Sequence, residues 1–182
     1  MAQAATTATP DIAPFHITAK ICKVDKEKRE VTGIVTTEDL DKQGDVVDYA
    51  TAKAFFLDEN LWPGNMREQH DPKKADGKRI SVECDDANKT ISITSRVSKG
   101  APETWEKIKD GTLSFHSIGG SGKRVAETVD GKACKRLFLE QLAEVSYVDN
   151  GANPTAKFEV VKSVDGKLVD AETPEPDPEP DS

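Results

Sequence analysis

Apolar residues alternate with polar ones over several short stretches of this chain, and recur at helical spacing over only two. From Phe15 to Val24 the alternation puts Phe15, Ile17, Ala19 and Ile21 on one face of a strand. The charged turn Asp25-Lys26-Glu27-Lys28-Arg29 leads into a second β-rich run, Glu30 to Thr36, so the two predict a hairpin. Thr37 to Asp48 is polar and reads as a loop. Asp48 is placed to cap a helix over Tyr49 to Asn60 with an apolar side of Ala52, Phe55, Phe56 and Trp62, and Pro63-Gly64 is its stop.

Beyond that stop, Asn65 to Pro72 carries a histidine just ahead of a proline turn. Arg79 to Glu83 and Thr90 to Val97 predict another hairpin around Asp85-Asp86-Ala87-Asn88. Pro102 opens a short helix through Asp110 that ends at Gly111, with Trp105 and Ile108 on its core side. The next stretch alternates as a strand to Ile118 and runs into Gly119-Gly120-Ser121-Gly122, which reads as a turn. Lys123 to Val129 and Lys132 to Leu139 flank Asp130-Gly131, a pair suited to a type I′ hairpin. Leu142 to Val148 and Lys157 to Val161 complete the strands. With mostly hairpin connections and two helices, the pattern predicts a mainly β domain with flanking helices (α+β), an antiparallel β-barrel or sandwich.

Composition bounds this picture. The 182 residues, 36% of them hydrophobic, suit one modest core with tails. Residues 1–14 are expected to be a disordered leader, 15–162 the domain, and 163–182 an acidic, proline-rich tail or linker. Met1 to Pro10 has neither the basic nor the apolar part of a signal peptide, and no apolar run reaches the ~18 residues of a membrane helix. A net charge of −8 argues against general binding to nucleic acid or anionic membranes. Cys22, Cys84 and Cys134 are far apart and lack paired spacing, which fits reduced thiols and no zinc site. Asp39, Asp41 and Asp45 look superficially like a calcium loop but lack the glutamate at its twelfth position, with Asp48 the only acid near that place, so no metal or cofactor is expected.

The remaining chemistry centres on Ser117. A strand running into glycines is one way to hold a hydroxyl beside backbone N–H groups, as a serine nucleophile needs; the plainer reading is an ordinary strand and turn. Ser114 is the alternative serine, mid-strand and without glycines immediately after it. Of the three histidines, His16 lies near the N-terminus and His116 points to the opposite face from its neighbour Ser117, which leaves His70 as the natural base; its ordinary reading is a solvated loop histidine. Glu144, an acid on an otherwise apolar strand, would orient His70; its ordinary reading is an outward-facing glutamate.

Several segments, taken in order, carry a family resemblance: Asp41-Lys42-Gln43-Gly44-Asp45; Glu68-Gln69-His70-Asp71; Trp105 to Gly111 running into Phe115-His116-Ser117-Ile118-Gly119-Gly120; and Leu142 to Val148 with Ala152-Asn153-Pro154-Thr155-Ala156. Across residues 15–162 they resemble the phage prohead (capsid maturation) serine proteases, in the phage serine protease branch found in defective prophages. The resemblance implies the β-barrel fold shared with herpesvirus assemblin, Ser117 as nucleophile, His70 as general base and Glu144 as third member. Backbone N–H groups near Gly119 and Gly120 would form the oxyanion hole. The family usually has Gly-Phe before the serine, where this chain has Phe115-His116. It further implies an endopeptidase that cuts scaffold protein, capsid protein and itself inside a procapsid assembling in the host cytoplasm. Its partners would be the major capsid and scaffold proteins and a second copy in a dimer, with no nucleic acid or membrane. Two other readings stand beside it: a catalytically inactive virion structural or scaffold-adaptor protein with the same barrel, and a β-rich calcium-binding module.

Overall fold

The computed structural model describes residues 12–41, 44–149, 161–164 and 167–170. Its strands are β1 (Ile12–Asp25), β2 (Glu30–Thr37), β3 (Asp45–Val47), β4 (Asn65–Glu68), β5 (Ala75–Asp85), β6 (Thr90–Val97), β7 (Phe115–Val129), β8 (Lys132–Val148), β9 (Val161–Val164) and β10 (Lys167–Asp170). The helices are α1 (Tyr49–Leu57) and α2 (Pro102–Lys109). Residues 1–11 of the expected 1–14 leader, the Lys42-Gln43 pair, the segment Ala152 to Ala156, most of the Lys157–Val161 strand and residues 171–182 of the expected tail lie outside the described residues, while residues 12–14 belong to β1. β9 crosses the boundary expected at 162/163 and β10 lies beyond it, with Val161 pairing in parallel with Asp25.

The strands form one curled, mixed sheet. Pairing runs β1-β2-β6-β5-β4-β8, and β7 bridges β8 back to β1. The expected all-antiparallel barrel is corrected at two places, because β3 and β4 both pair in parallel with β8. Each is only three or four residues long and sits in a stretch too polar for its period to be read. The expected break at the glycines is also absent. β7 runs unbroken through Gly119, Gly120 and Gly122, and β8 spans what reads in the sequence as two strands.

The inward rows of the sheet make the core. Phe15, Ile17 and Ile21 of β1 are buried with Val31, Val35, Ile91, Ile93, Met66, Leu137 and Val145 from its neighbours. Asp48 caps α1, accepting from the Thr51 N–H at 2.9 Å. The helix stops at Leu57, short of Asn60, where Asp58 leaves helical geometry, and the chain turns so that Trp62 packs edge-on against Phe56 at 5.0 Å. α2 begins at Pro102 and buries Thr104, Trp105 and Ile108. Asp130 and Gly131 both have positive φ, as the type I′ turn between β7 and β8 requires.

Candidate active site

Two pairing registers set the site. β7 lies between β1 and β8, and its residue Ser117 is opposite Thr18 on one side and Ser146 on the other. Two positions on, Gly119 is opposite His16 and Glu144. Because strand side chains alternate, these six residues form two adjacent rows on one face of the sheet. The middle of the second row is a glycine and therefore empty of side chain. A Cβ at 119 would overlap Glu144 Oε1 and stand 3.4 Å from His16 Cδ2, so the gap is filled from both flanks.

His70 enters above this gap on a tight turn. Gln69 and His70 both have positive φ (52° and 58°), and the Asp71 N–H donates to the Glu68 carbonyl at 2.9 Å, closing the turn. Non-glycine residues in this region carry a backbone cost of roughly 1–2 kcal/mol each, so the surroundings must over-determine the conformation. They do so at several points. β4 pairs Glu68 with Tyr147, the Gln69 N–H donates to the Tyr147 carbonyl at 3.0 Å, and the His70 N–H donates to Ser146 Oγ at 3.1 Å. Beneath the turn, buried Glu68 accepts from Lys74, Lys107 and Thr104 at 2.5–2.8 Å, and Thr104 also bonds Asp76. Burial pushes the Glu68 carboxyl up, but these three donors outweigh it and hold it at about 2. α2 is thereby tied to the end of β4.

From that turn the His70 ring reaches both of its partners. Nε2 lies 2.8 Å from Ser117 Oγ, and Nδ1 lies 2.5 Å from Glu144 Oε1. A carboxylate only accepts, so Nδ1 carries the ring proton and Nε2 presents its lone pair to the serine. Ser146 donates to Glu144 Oε2 at 2.6 Å while accepting from the His70 backbone, so one hydroxyl holds both residues. Thr18 Oγ1 stands 3.5 Å from Ser117 Oγ. Ser117, Glu144 and Ser146 are buried, and the His70 side chain is 22% exposed. Against the free face of His70 lies the His16 ring, 3.9 Å away and within 7° of parallel.

The structure thus brings together Ser117, His70 and Glu144 among the residues singled out in the sequence. Gly119 and Gly120 sit directly beside them, not in a turn but in a strand paired on both sides, with a register shift between them. Ser114 lies outside the cluster, its N–H and carbonyl bonded to Val148 and Ile21. His116 faces the core, fully buried at 5.8 Å from the Tyr147 ring. Neither ring nitrogen makes a well-formed hydrogen bond, and burial, against a smaller upward pull from the Ile34 backbone, holds the imidazole down to about 4. Sequence reasoning missed Ser146 and His16. Their signal is register, since both lie opposite β7 residues of the site, and register is not visible without the pairing. His16, His70 and Glu144 offer donor atoms within 4.8 Å of one another, but both His70 nitrogens are engaged, so a cation there would compete with the hydrogen bonds. The acidic loop shows a different use for Asp45, which binds Arg124 at 2.9 Å.

A hydroxyl, an imidazole and a carboxylate are thus hydrogen-bonded in sequence on a curled β-sheet. The fold has a solved counterpart. The solved structure of the bacteriophage T4 capsid assembly protease, gp21, matches with a TM-score of 0.58, covering 76% of this chain and 98% of that one at 13% identity. In sequence, the capsid polyprotein of Pseudomonas phage PAJU2 is 30% identical over 157 residues, 82% of this chain and 22% of the polyprotein. The chain therefore spans about a fifth of the length of that curated relative. No family model matches. The resemblance to the phage prohead (capsid assembly) proteases is shown by these two matches, one in fold and one in sequence.

Proposed function

We propose that this protein is a serine endopeptidase of phage capsid maturation, with Ser117 as nucleophile, His70 as general base and Glu144 as the acid that orients and charge-balances the base. The observation that carries the reading is the unbroken chain from Ser117 Oγ through His70 Nε2 and Nδ1 to Glu144 Oε1, at 2.8 and 2.5 Å. The 2.8 Å contact is within hydrogen-bond reach of a general base, and the 2.5 Å contact to the carboxylate is a short hydrogen bond.

The steps follow from that chain. Ser117 Oγ attacks a peptide carbonyl as His70 Nε2 takes its proton, and the resulting imidazolium is stabilised by Glu144. The same proton passes to the leaving amine, which departs and leaves an ester on Ser117. A water deprotonated by Nε2 then attacks the ester and releases the acid. The developing oxyanion needs backbone donors close by. The register shift between Gly119 and Gly120, where β7 slips against β8 beside Ser117, supports placing those donors there.

For substrates, the fused capsid polyprotein of PAJU2 supports capsid protein or its scaffold as the chain that is cut. Self-cleavage, association of two copies and action inside a procapsid in the host cell belong to the same reading. Co-expression with a scaffold or capsid substrate tests it. Processing is expected with the unmodified chain and absent with Ser117→Ala; equal processing in both would overturn the nucleophile. Labelling by a fluorophosphonate should likewise be lost in His70→Ala.

A further inference from the structure

His70 is supported on three sides, and the proposed triad accounts for only two of them. Glu144 holds one ring edge and Ser117 the other, but two edge contacts leave the plane free to rock, because the terminal torsion of a histidine is broad. The backbone turn fixes where the ring starts and not how it is tilted. The third side is His16. Its β1 register sets it opposite Gly119, and the missing side chain at 119 lets its ring lie flat on His70 at 3.9 Å and 7°. His16 is exposed, so core packing does not explain a large flat ring at this place.

We propose that His16 is a positioning residue for the general base: a flat aromatic plate that fixes the plane of the His70 ring, so that Nε2 and Nδ1 meet Ser117 and Glu144 together, and that keeps water from one ring face. The proposal rests on the serine-protease reading above. Parallel rings gain from stacking, and a neutral plate also attracts the imidazolium that forms when His70 takes the serine proton. A charged plate would oppose that proton transfer. Partial desolvation and the adjacent His70 keep His16 below the usual histidine range, against a smaller upward pull from Glu144. What the site needs from position 16 is therefore a flat, uncharged ring, and no proton of its own.

Two substitutions separate the plate from the imidazole. His16→Ala removes both, whereas His16→Phe keeps the plate and removes the titrating nitrogens. In His16→Ala, the rate of fluorophosphonate labelling of Ser117, and kcat on a peptide substrate, are expected to fall about ten- to a hundredfold with KM unchanged, as for a modest misalignment of a reacting group. His16→Phe is expected to recover to within about threefold of the unmodified chain. Melting temperatures should stay together, since the side chain is exposed. A His16→Ala chain that labels as fast as the unmodified one, or a His16→Phe chain no better than His16→Ala, overturns the proposal. A second readout does not need activity. The His70 Nδ1 proton bound to Glu144 is observable by NMR, and its exchange with water should speed up in His16→Ala but not in His16→Phe. If the unmodified chain is not labelled at all, the protease reading fails. The ring-proton exchange still decides on His16, and equal exchange in all three chains rejects the plate.

Discussion

Gly119 and Glu144 share a space that only one side chain can occupy: they face each other across β7 and β8, and a Cβ on the first would overlap the carboxylate of the second. The glycine is thus part of how the acid reaches the base. Gly119→Ala is expected to leave the sheet in place but push the carboxylate off His70 Nδ1. Loss of about 10²- to 10⁴-fold in kcat should follow, in the range seen when the acid of a triad no longer sets the tautomer. Steady-state kinetics beside a circular dichroism melt checks this; near-normal kcat would show that Glu144 reaches His70 another way.

Ser146 bonds both the Glu144 carboxylate and the His70 N–H. Ser146→Ala should lose about 1–3 kcal/mol of stability by leaving buried groups unpaired, and should slow labelling of Ser117. Ser146→Thr keeps the hydroxyl and is expected to retain most of the labelling rate. Denaturant unfolding and labelling kinetics on the three chains read both effects.

Buried His116 sets an acid limit. Its imidazole is held at about 4 in the folded chain against 6.5 ordinarily, so between those values the unfolded chain binds a proton that the folded one refuses. Stability therefore falls as pH drops through that window and levels off below it. His116→Phe should flatten this slope and, by removing two buried ring nitrogens without a well-formed hydrogen bond, raise the melting temperature at neutral pH. Melting temperatures followed from neutral pH downward would show a parallel slope in both chains if His116 were not responsible.

Glu68 acts in a lower window. Its carboxyl is held at about 2 against an ordinary 4.5, so its contribution is complete above 4.5 and is lost as pH falls towards 2. Glu68→Gln keeps the shape but gives up the ion pairs with Lys74 and Lys107. Loss of stability at neutral pH is expected, with a shallower slope in the acid window. Because those side-chain contacts anchor the residue whose backbone carbonyl closes the His70 turn, labelling of Ser117 should slow as well. A variant that melts and labels like the unmodified chain would count against the network.

How far the sequence carries depends on how local the signal is. β6, α2 and the Asp130-Gly131 turn rest on alternation, a first-turn proline and a positive-φ pair, and each appears where those signals put it. Ser117, His70 and Glu144 could be picked out because the chain holds few histidines and one acid on an apolar strand. The parallel strands β3 and β4 could not, because a three- or four-residue strand has no period and its pairing depends on a distant partner. The glycines after Ser117 misled for a physical reason: glycine marks a turn when φ is positive, but Gly119 and Gly120 serve close approach within a strand. His116 reads correctly as facing away from Ser117, but nothing local says that the other side is the core.

The left-handed pair Gln69-His70 has a consequence for anyone seeking to move this chemistry elsewhere. The geometry of the proposed triad is not a property of three side chains that could be written onto another sheet. His70 hangs from a turn that only holds its shape because Tyr147, Ser146 and Glu68 grip it from below. The smallest transplantable unit is therefore that turn together with the end of β8 beneath it, and a graft of Ser117, His70 and Glu144 alone would give a serine with no neighbour at its elbow.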